Sequence, residues 1–86
     1  MRLLWYSRAW DEYLYWQAQD KKTLKRINAL VRDIQRGQAE DIGKPEKLKG
    51  NLNGWQSRRI DAVNRLVYKL VGDALIIAAC KGPYGE

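Results

Sequence analysis

The pattern of apolar and polar positions predicts helices in the first half of the chain and strands in the last third. An apolar run at residues 3–6 predicts a first strand, and Ser7 is placed to cap a helix after it. The buried side of that helix is expected to hold four large side chains, Trp10, Tyr13, Leu14 and Trp16. Asp20 is placed to cap a second helix, whose apolar residues recur at helical spacing at Leu24, Ile27, Leu30, Val31 and Ile34. Because almost no linker separates the two helices, they are expected to form an antiparallel hairpin that ends at Gly37.

The second half of the chain begins with a polar segment, residues 38–53, that is expected to be mostly loop with short extended pieces. Antiparallel strands are then predicted at residues 55–61, 65–71 and 74–81. Gly72 and Asp73 suit a tight turn, and Asn64 tolerates a left-handed conformation in the connection at 62–64. The last strand lacks polar alternation, so we expect it to be central and covered on both faces. The order of elements predicts an α+β fold with a mainly antiparallel sheet, in one domain spanning residues 1–86.

The two-residue period of a strand predicts which charged side chains share a face. If residues 62–64 close a hairpin, Asp61 lies opposite Arg65. One face of the strand pair then carries Arg59, Asp61, Arg65 and Val67. The other face, toward the helices, carries Ile60, Leu66, Tyr68 and Leu70. Two arginines on an open face, close to the loop that contains Glu46 and Lys49, make a candidate anion site.

Charge and composition narrow the classes of partner. A net charge of +6 on 86 residues favours polyanions, such as nucleic acid, the ribosome, anionic lipid or an acidic protein segment. No apolar run approaches the roughly 20 residues of a bilayer span, and the first apolar stretch is too short for a signal peptide. One cysteine, Cys80, excludes an internal disulfide framework, so a reducing cytoplasm is expected.

The chain contains no histidine. This excludes histidine-based zinc sites and Ser–His or Cys–His nucleophile pairs. Any catalysis must therefore use Glu, Asp, Lys, Arg or Tyr, and no metal or other cofactor is expected.

Four motifs and a terminal tyrosine occur in a specific order and spacing. They are Trp10-Asp11-x-Tyr13-Leu14-Tyr15-Trp16, Gly43-Lys44-Pro45-Glu46-x-Leu48-Lys49, Ser57-Arg58-Arg59-Ile60-Asp61, Asn64-Arg65-Leu66-Val67-Tyr68 and Tyr84. Over nearly the whole chain, this set resembles the YoeB/Txe branch of the RelE-like toxins. The resemblance implies a two-helix hairpin packed on a small, mainly antiparallel sheet. It also implies a toxin that enters the ribosomal A site and cuts messenger RNA there.

The resemblance further implies partners and roles for single residues. A cognate antitoxin of the YefM/Phd type would block the toxin, and the pair would bind operator DNA; a homodimer is known in the family. Glu46 matches the general base, while Arg65 and Arg59 match the phosphate clamps. Lys49 would add positive charge, and Tyr84 would contact a splayed nucleotide.

Position 83 departs from the family pattern, because Pro83 stands where the family normally has a histidine before the terminal tyrosine. Proline transfers no proton, and loss of a general acid typically costs ~10²–10⁴ in rate. Val63 and Asn64 also replace an acid and a histidine found in many relatives. The hypothesis is an attenuated ribonuclease toxin. The alternative is an inactive homologue that still binds its antitoxin and co-represses the operon.

Blander interpretations stay open for each part of the site. Glu46 alone is an ordinary solvated loop acid, and Arg59 and Arg65 alone are charges that protect an edge strand from aggregation. The basic side of the second helix is either a solvated face or a surface that docks on ribosomal RNA. A gyrase-directed toxin shares the general fold, but the motifs around Glu46 and Arg65 argue against it.

Overall fold

Two helices and a five-stranded sheet make up the computed structural model, which describes residues 1–83. Strand β1 (Arg2–Trp5) leads into helices α1 (Ser7–Gln19) and α2 (Lys21–Gln35). After a loop come β2 (Glu46–Lys47), a 3₁₀ turn (Gly50–Leu52), β3 (Gln56–Arg59), β4 (Arg65–Val71) and β5 (Ala74–Ala79). The sheet order is β1-β5-β4-β3-β2, and only the β1–β5 pair is parallel. The predicted α+β class and the mainly antiparallel sheet are confirmed.

The starts of the two helices differ in how they are capped. The Asp20 carboxylate accepts hydrogen bonds from the backbone N–H and the hydroxyl of Thr23, and these bonds lower the pKa of Asp20. The predicted cap at Asp20 is confirmed. The predicted cap at Ser7 is wrong, because Ser7 is already the first residue of α1. The carbonyl of Tyr6 accepts the first helical bond, while its N–H extends the ladder to Ile77 of β5.

Helix α1 buries a different stripe from the predicted one. Ala9 and Trp16 are buried, whereas Trp10 is 45% exposed and Leu14 is 41% exposed. The small Ala9 is fully buried, whereas the large Trp10 next to it faces outward. Trp10 stacks on Tyr13 at 5.6 Å between ring centroids, which shelters part of its ring at the surface. The expectation that Trp10 and Leu14 lie in the core is therefore wrong.

Helix α2 presents the predicted apolar stripe to the sheet. Its buried apolar residues are Ile27, Leu30, Val31 and Ile34, and Leu24 packs at their margin. They share one core with sheet residues that include Leu66, Tyr68, Leu75 and Ile77. At the end of the helix, Gly37 takes a φ of +84°, and Gln38 N–H bonds back to the carbonyl of Asp33. The predicted end at Gly37 is confirmed.

Strand β5 lies in the interior of the sheet, between β1 and β4. Leu75 and Ile77 are fully buried under the helices, but Ile76 and Ala78 on the other face are only half-buried. Full cover of both faces was therefore a wrong expectation, because both helices pack on the same side. The turn at Gly72–Asp73 forms as predicted, with Gly72 at a φ of +58°. Within residues 1–83, no helix is long and apolar enough to cross a membrane.

Candidate active site

The register of β3 and β4 places Arg59 directly opposite Arg65. The predicted pairing of Asp61 with Arg65 is wrong, because Asp61 belongs to a five-residue loop, residues 60–64. The Asp61 carboxylate accepts hydrogen bonds from the backbone N–H groups of Val63 and Asn64, at 2.8 and 2.7 Å. Burial raises the pKa of Asp61, but the bonds from Asn64 and Val63 outweigh it, and the net pKa is lowered. The observed register differs from the predicted one by two residues, so the two arginines still share one face, as predicted.

The loop also corrects the expectation for the backbone of Asn64. Among the described non-glycine residues, those with positive φ are Gln38, Asp41 and Lys44, so Asn64 is not left-handed. Asn64 acts through its side chain instead. Its amide nitrogen donates to both Asp61 oxygens, and its amide oxygen accepts a hydrogen bond from Gly82 N–H at 2.7 Å.

Strand β2 brings Glu46 to the same face as the two arginines. Glu46 is the direct cross-strand partner of Ser57, which lies two residues before Arg59. The Glu46 carboxylate oxygen lies 3.5 Å from a guanidinium nitrogen of Arg65. The Glu46 side chain is 54% exposed and that of Arg65 is 19% exposed, so the ion pair is open to solvent on one side. Three of the predicted site residues, Glu46, Arg59 and Arg65, thus lie on one open face.

The edge-strand interpretation of the two arginines does not hold. Strand β4 lies between β5 and β3, and β3 has β2 as its outer neighbour. Before the start of β2, the carbonyl of Gly43 accepts a hydrogen bond from the backbone N–H of Arg59 at 2.7 Å. Two like charges directly opposite each other weaken a strand pair. Their placement therefore favours binding of an anion over protection of an exposed edge.

Lys49 lies on the exposed segment between β2 and the 3₁₀ turn. Glu46 and Lys49 line one depression of the surface, together with Lys47 and Leu48. Lys49 thus lies at the same surface depression as Glu46.

The chain segment before position 83 is fixed to the start of β4. The carbonyl of Gly82 accepts a hydrogen bond from the backbone N–H of Arg65 at 3.0 Å, and its N–H donates to Asn64. These bonds hold Pro83 beside the Arg65 end of the site. Tyr84, the remaining predicted site residue, lies outside the described residues.

Arg58, next to Arg59, lies in a different environment that its motif did not predict. Arg58 is fully buried on the helix-facing side of β3, where it donates to the Asp33 carboxylate at 2.7 Å and to the Tyr68 hydroxyl at 3.1 Å. Its hydrogen bond to Asp33 is the main cause of the lowered pKa of that carboxyl group. Burial lowers the pKa of Arg58, but the bonds to Asp33 and Tyr68 outweigh it, and the net pKa is raised. The strand period alone indicates this burial, because the Arg58 side chain points to the same face as those of Ile60 and Leu66.

Arg58 also organises the segment that leads to the site. Its guanidinium donates to the carbonyl of Ile42 at 3.0 Å and to the side-chain oxygen of Gln38 at 3.2 Å. The segment then passes Gly43, whose carbonyl bonds to Arg59. The buried network therefore fixes the path of the chain shortly before Glu46.

The lone cysteine takes no part in this site. Cys80 is fully buried, and burial, with the negative charge of Glu12, raises the pKa of its thiol to about 12. Cys80 therefore acts as a small buried apolar residue. Among residues 1–83, no three His, Cys, Asp or Glu side chains group in a way that could hold a metal ion.

Comparison with known proteins identifies the family. The model of the YoeB-like toxins of bacterial type II toxin–antitoxin systems matches residues 5–84. The chain belongs to this toxin family. Toxin YoeB of Escherichia coli K12 is 51% identical over 84 residues, which cover 98% of this chain and 100% of that toxin.

Solved structures of relatives agree with the family and the fold. The YoeB/ParE toxin from Agrobacterium tumefaciens is 40% identical, with a TM-score of 0.92 over 98% of this chain and 100% of the other. Two structures from Staphylococcus aureus, a heterotetrameric YoeB–YefM complex and a YoeB dimer, are each 46% identical and have TM-scores of 0.89. Each covers 98% of both chains. The toxin therefore has the RelE-like fold implied by its motifs.

Proposed function

We propose that this toxin is an endoribonuclease that cuts messenger RNA in the ribosomal A site. The observation that carries the proposal is the 3.5 Å contact between Glu46 and Arg65 on an open face, with Arg59 as the cross-strand neighbour. A carboxylate beside two guanidinium groups combines a proton acceptor with a site for a phosphate. The net charge of +6 supports a polyanionic substrate.

The reaction needs no metal. The ribose 2′-oxygen attacks the adjacent phosphorus as the bond to the 5′-oxygen breaks. In this chain the leaving 5′-oxygen takes its proton from water, which leaves a 2′,3′-cyclic phosphate and a 5′-hydroxyl. Glu46 takes the proton of the 2′-hydroxyl, and Arg65 and Arg59 stabilise the charge that develops on the phosphate oxygens. Lys49 adds positive charge, and Tyr84 contacts the displaced nucleotide.

Substrate binding must first open the ion pair between Glu46 and Arg65. A pair this exposed contributes little to stability. A phosphate, which carries several acceptor oxygens, can therefore replace the carboxylate as the partner of Arg65. That exchange leaves the Glu46 carboxylate available as a base.

Pro83 attenuates the toxin in this proposal. The family's histidine position lies next to Gly82, whose carbonyl bonds to Arg65, so a side chain there is well placed to protonate the leaving 5′-oxygen. Proline supplies no proton. Restoration of histidine, Pro83→His, is expected to raise ribosome-dependent cleavage by ~10²–10⁴. Equal cleavage by both chains would show that Pro83 is no handicap.

Primer extension on ribosome-bound messenger RNA tests the function directly. The toxin is expected to produce stops within the A-site codon, and none on the same RNA without ribosomes. The Pro83→His variant is assayed beside it, because it raises the signal if the native rate is low. Absence of cleavage by both chains would refute the nuclease proposal.

The partners follow from the same proposal. YefM is the partner of the Staphylococcus aureus relative, so we expect a YefM/Phd-type antitoxin to bind this toxin and the complex to bind operator DNA. A homodimer, as in the other Staphylococcus aureus structure, and action in the cytoplasm are further parts of the proposal.

Pro83 also favours a second candidate function, an inactive homologue that binds the antitoxin and co-represses the operon. Expression without antitoxin separates the two functions. A competent nuclease arrests growth and truncates transcripts, whereas a pure binder does neither.

A further inference from the structure

Ser57 has a buried hydroxyl group without a hydrogen-bond partner. The residue is fully buried, and within residues 1–83 its Oγ is the buried side-chain polar atom that makes no hydrogen bond. Buried polar groups are nearly always hydrogen-bonded, because an unpaired one loses its interaction with water and gains nothing. An exception beside a candidate active site is explained if its partner arrives in another state of the protein.

The sheet register places this hydroxyl within the candidate active site. Ser57 pairs with Glu46 on one side and with Val67 on the other, and Arg59 follows it by two residues. All of these side chains share the face that carries Arg65. Directly opposite residues of an antiparallel pair have Cβ atoms about 4.5–5.5 Å apart, so Ser57 lies within the reach of the Glu46 side chain.

The chemistry of the neighbours selects the partner. A serine hydroxyl can accept hydrogen bonds and donate one, and a donor such as a guanidinium group would leave its proton without an acceptor. Guanidinium groups only donate, which leaves the Glu46 carboxylate as the acceptor among the charged groups of this face. Direct contact of the hydroxyl with RNA is unfavourable, because the group is buried.

We propose that Ser57 is a positioning residue for Glu46. The inference rests on the proposed ribonuclease function. When an RNA phosphate binds Arg65, the carboxylate leaves its 3.5 Å contact with that arginine and accepts a hydrogen bond from Ser57 Oγ. One carboxylate oxygen is then fixed by Ser57, which keeps its proton, and the other oxygen takes the proton of the 2′-hydroxyl.

The test compares Ser57→Ala and Ser57→Thr in single-turnover cleavage of ribosome-bound messenger RNA, all in the Pro83→His background. Hydrogen bonds to charged groups are worth enough to change a rate roughly tenfold, so Ser57→Ala is expected to slow the maximal rate about tenfold. The toxin concentration that gives half the maximal rate should not change, since the phosphate contacts remain. Ser57→Thr keeps the hydroxyl and should keep the rate.

Stability separates a positioning role from a packing role. Ser57→Ala removes an unpaired group, so its urea midpoint should equal or exceed that of the parent. A positioning residue therefore lowers the rate without lowering the stability.

Three results would overturn the inference. One is an unchanged rate in Ser57→Ala, and another is a rate loss that accompanies a lower urea midpoint. The third is a folded Ser57→Thr variant that is as slow as Ser57→Ala. Failure of the proposed function looks different, because the parent with intact Ser57 would then not cleave, and the inference would fall with it.

Discussion

Gly43 offers a quantitative test of how the segment before Glu46 packs on the sheet. A Cβ atom added at Gly43 would lie 2.7 Å from Leu30 Cδ2, 3.1 Å from the Arg59 carbonyl oxygen and 3.2 Å from Arg58 Cβ. Gly37 has nearly the same φ, +84° against +83°, but an added Cβ there meets nothing within 4 Å. The pair Gly43→Ala and Gly37→Ala therefore isolates the packing from the backbone conformation.

The expected losses follow from these distances. A left-handed backbone costs an alanine about 1–2 kcal/mol, and this applies to both variants. Overpacking at Gly43 adds about 1–3 kcal/mol, because Leu30 is fully buried and the Arg59 carbonyl is part of the chain itself. We therefore expect losses of about 2–5 kcal/mol for Gly43→Ala and about 1–2 kcal/mol for Gly37→Ala.

Urea unfolding of the two variants and the native toxin measures the difference. The slopes should stay equal, so that the shift of the midpoints reports stability alone. Because the Gly43 carbonyl bonds to Arg59 N–H, displacement of the segment is also expected to reduce cleavage in Gly43→Ala more than in Gly37→Ala. Equal losses of stability would refute the close packing of this segment on α2 and β3.

Two further predictions concern the proposed phosphate clamp and the buried ion pair of Arg58 with Asp33. Arg65→Ala should weaken cleavage more than Lys25→Ala does, because Lys25 lies on the exposed side of α2. Equal reductions of cleavage in the primer-extension assay would show that Arg65 does not clamp the phosphate. The pKa of Asp33 is lowered by its bond to Arg58. The ionised Asp33 carboxylate therefore stabilises the fold above its unfolded-state pKa of about 3.9, and this stabilisation is lost as the pH falls through the folded-state pKa. Acid titration of stability below about pH 4 should thus be flatter in Asp33→Asn than in the native toxin, and equal curves would contradict the pairing.

Local sequence determined the helices and the main strands, and it determined which side chains of β3 and β4 share a face. The period of α2, the cap at Asp20 and the glycine at 37 are local signals, and all three are confirmed. The bounds predicted for β4, residues 65–71, match the observed ones, and the turn that ends the strand at Gly72–Asp73 has a clear sequence signal. The strand period put Arg59 and Arg65 on one face even though the register was two residues off, since a shift of two preserves the face.

Tertiary structure decided which of these surfaces is covered and which charges meet. Trp10 faces outward because α1 packs through Ala9, and Arg58 is buried because Asp33 of α2 and Tyr68 of β4 lie around its guanidinium. The contact of Glu46 with Arg65 depends on two successive strand pairings, that of β2 with β3 and that of β3 with β4. Periodicity states which side chains share a face, but the partner of that face is set by the packing of distant elements, where burial and electrostatic pairing outweigh local preference.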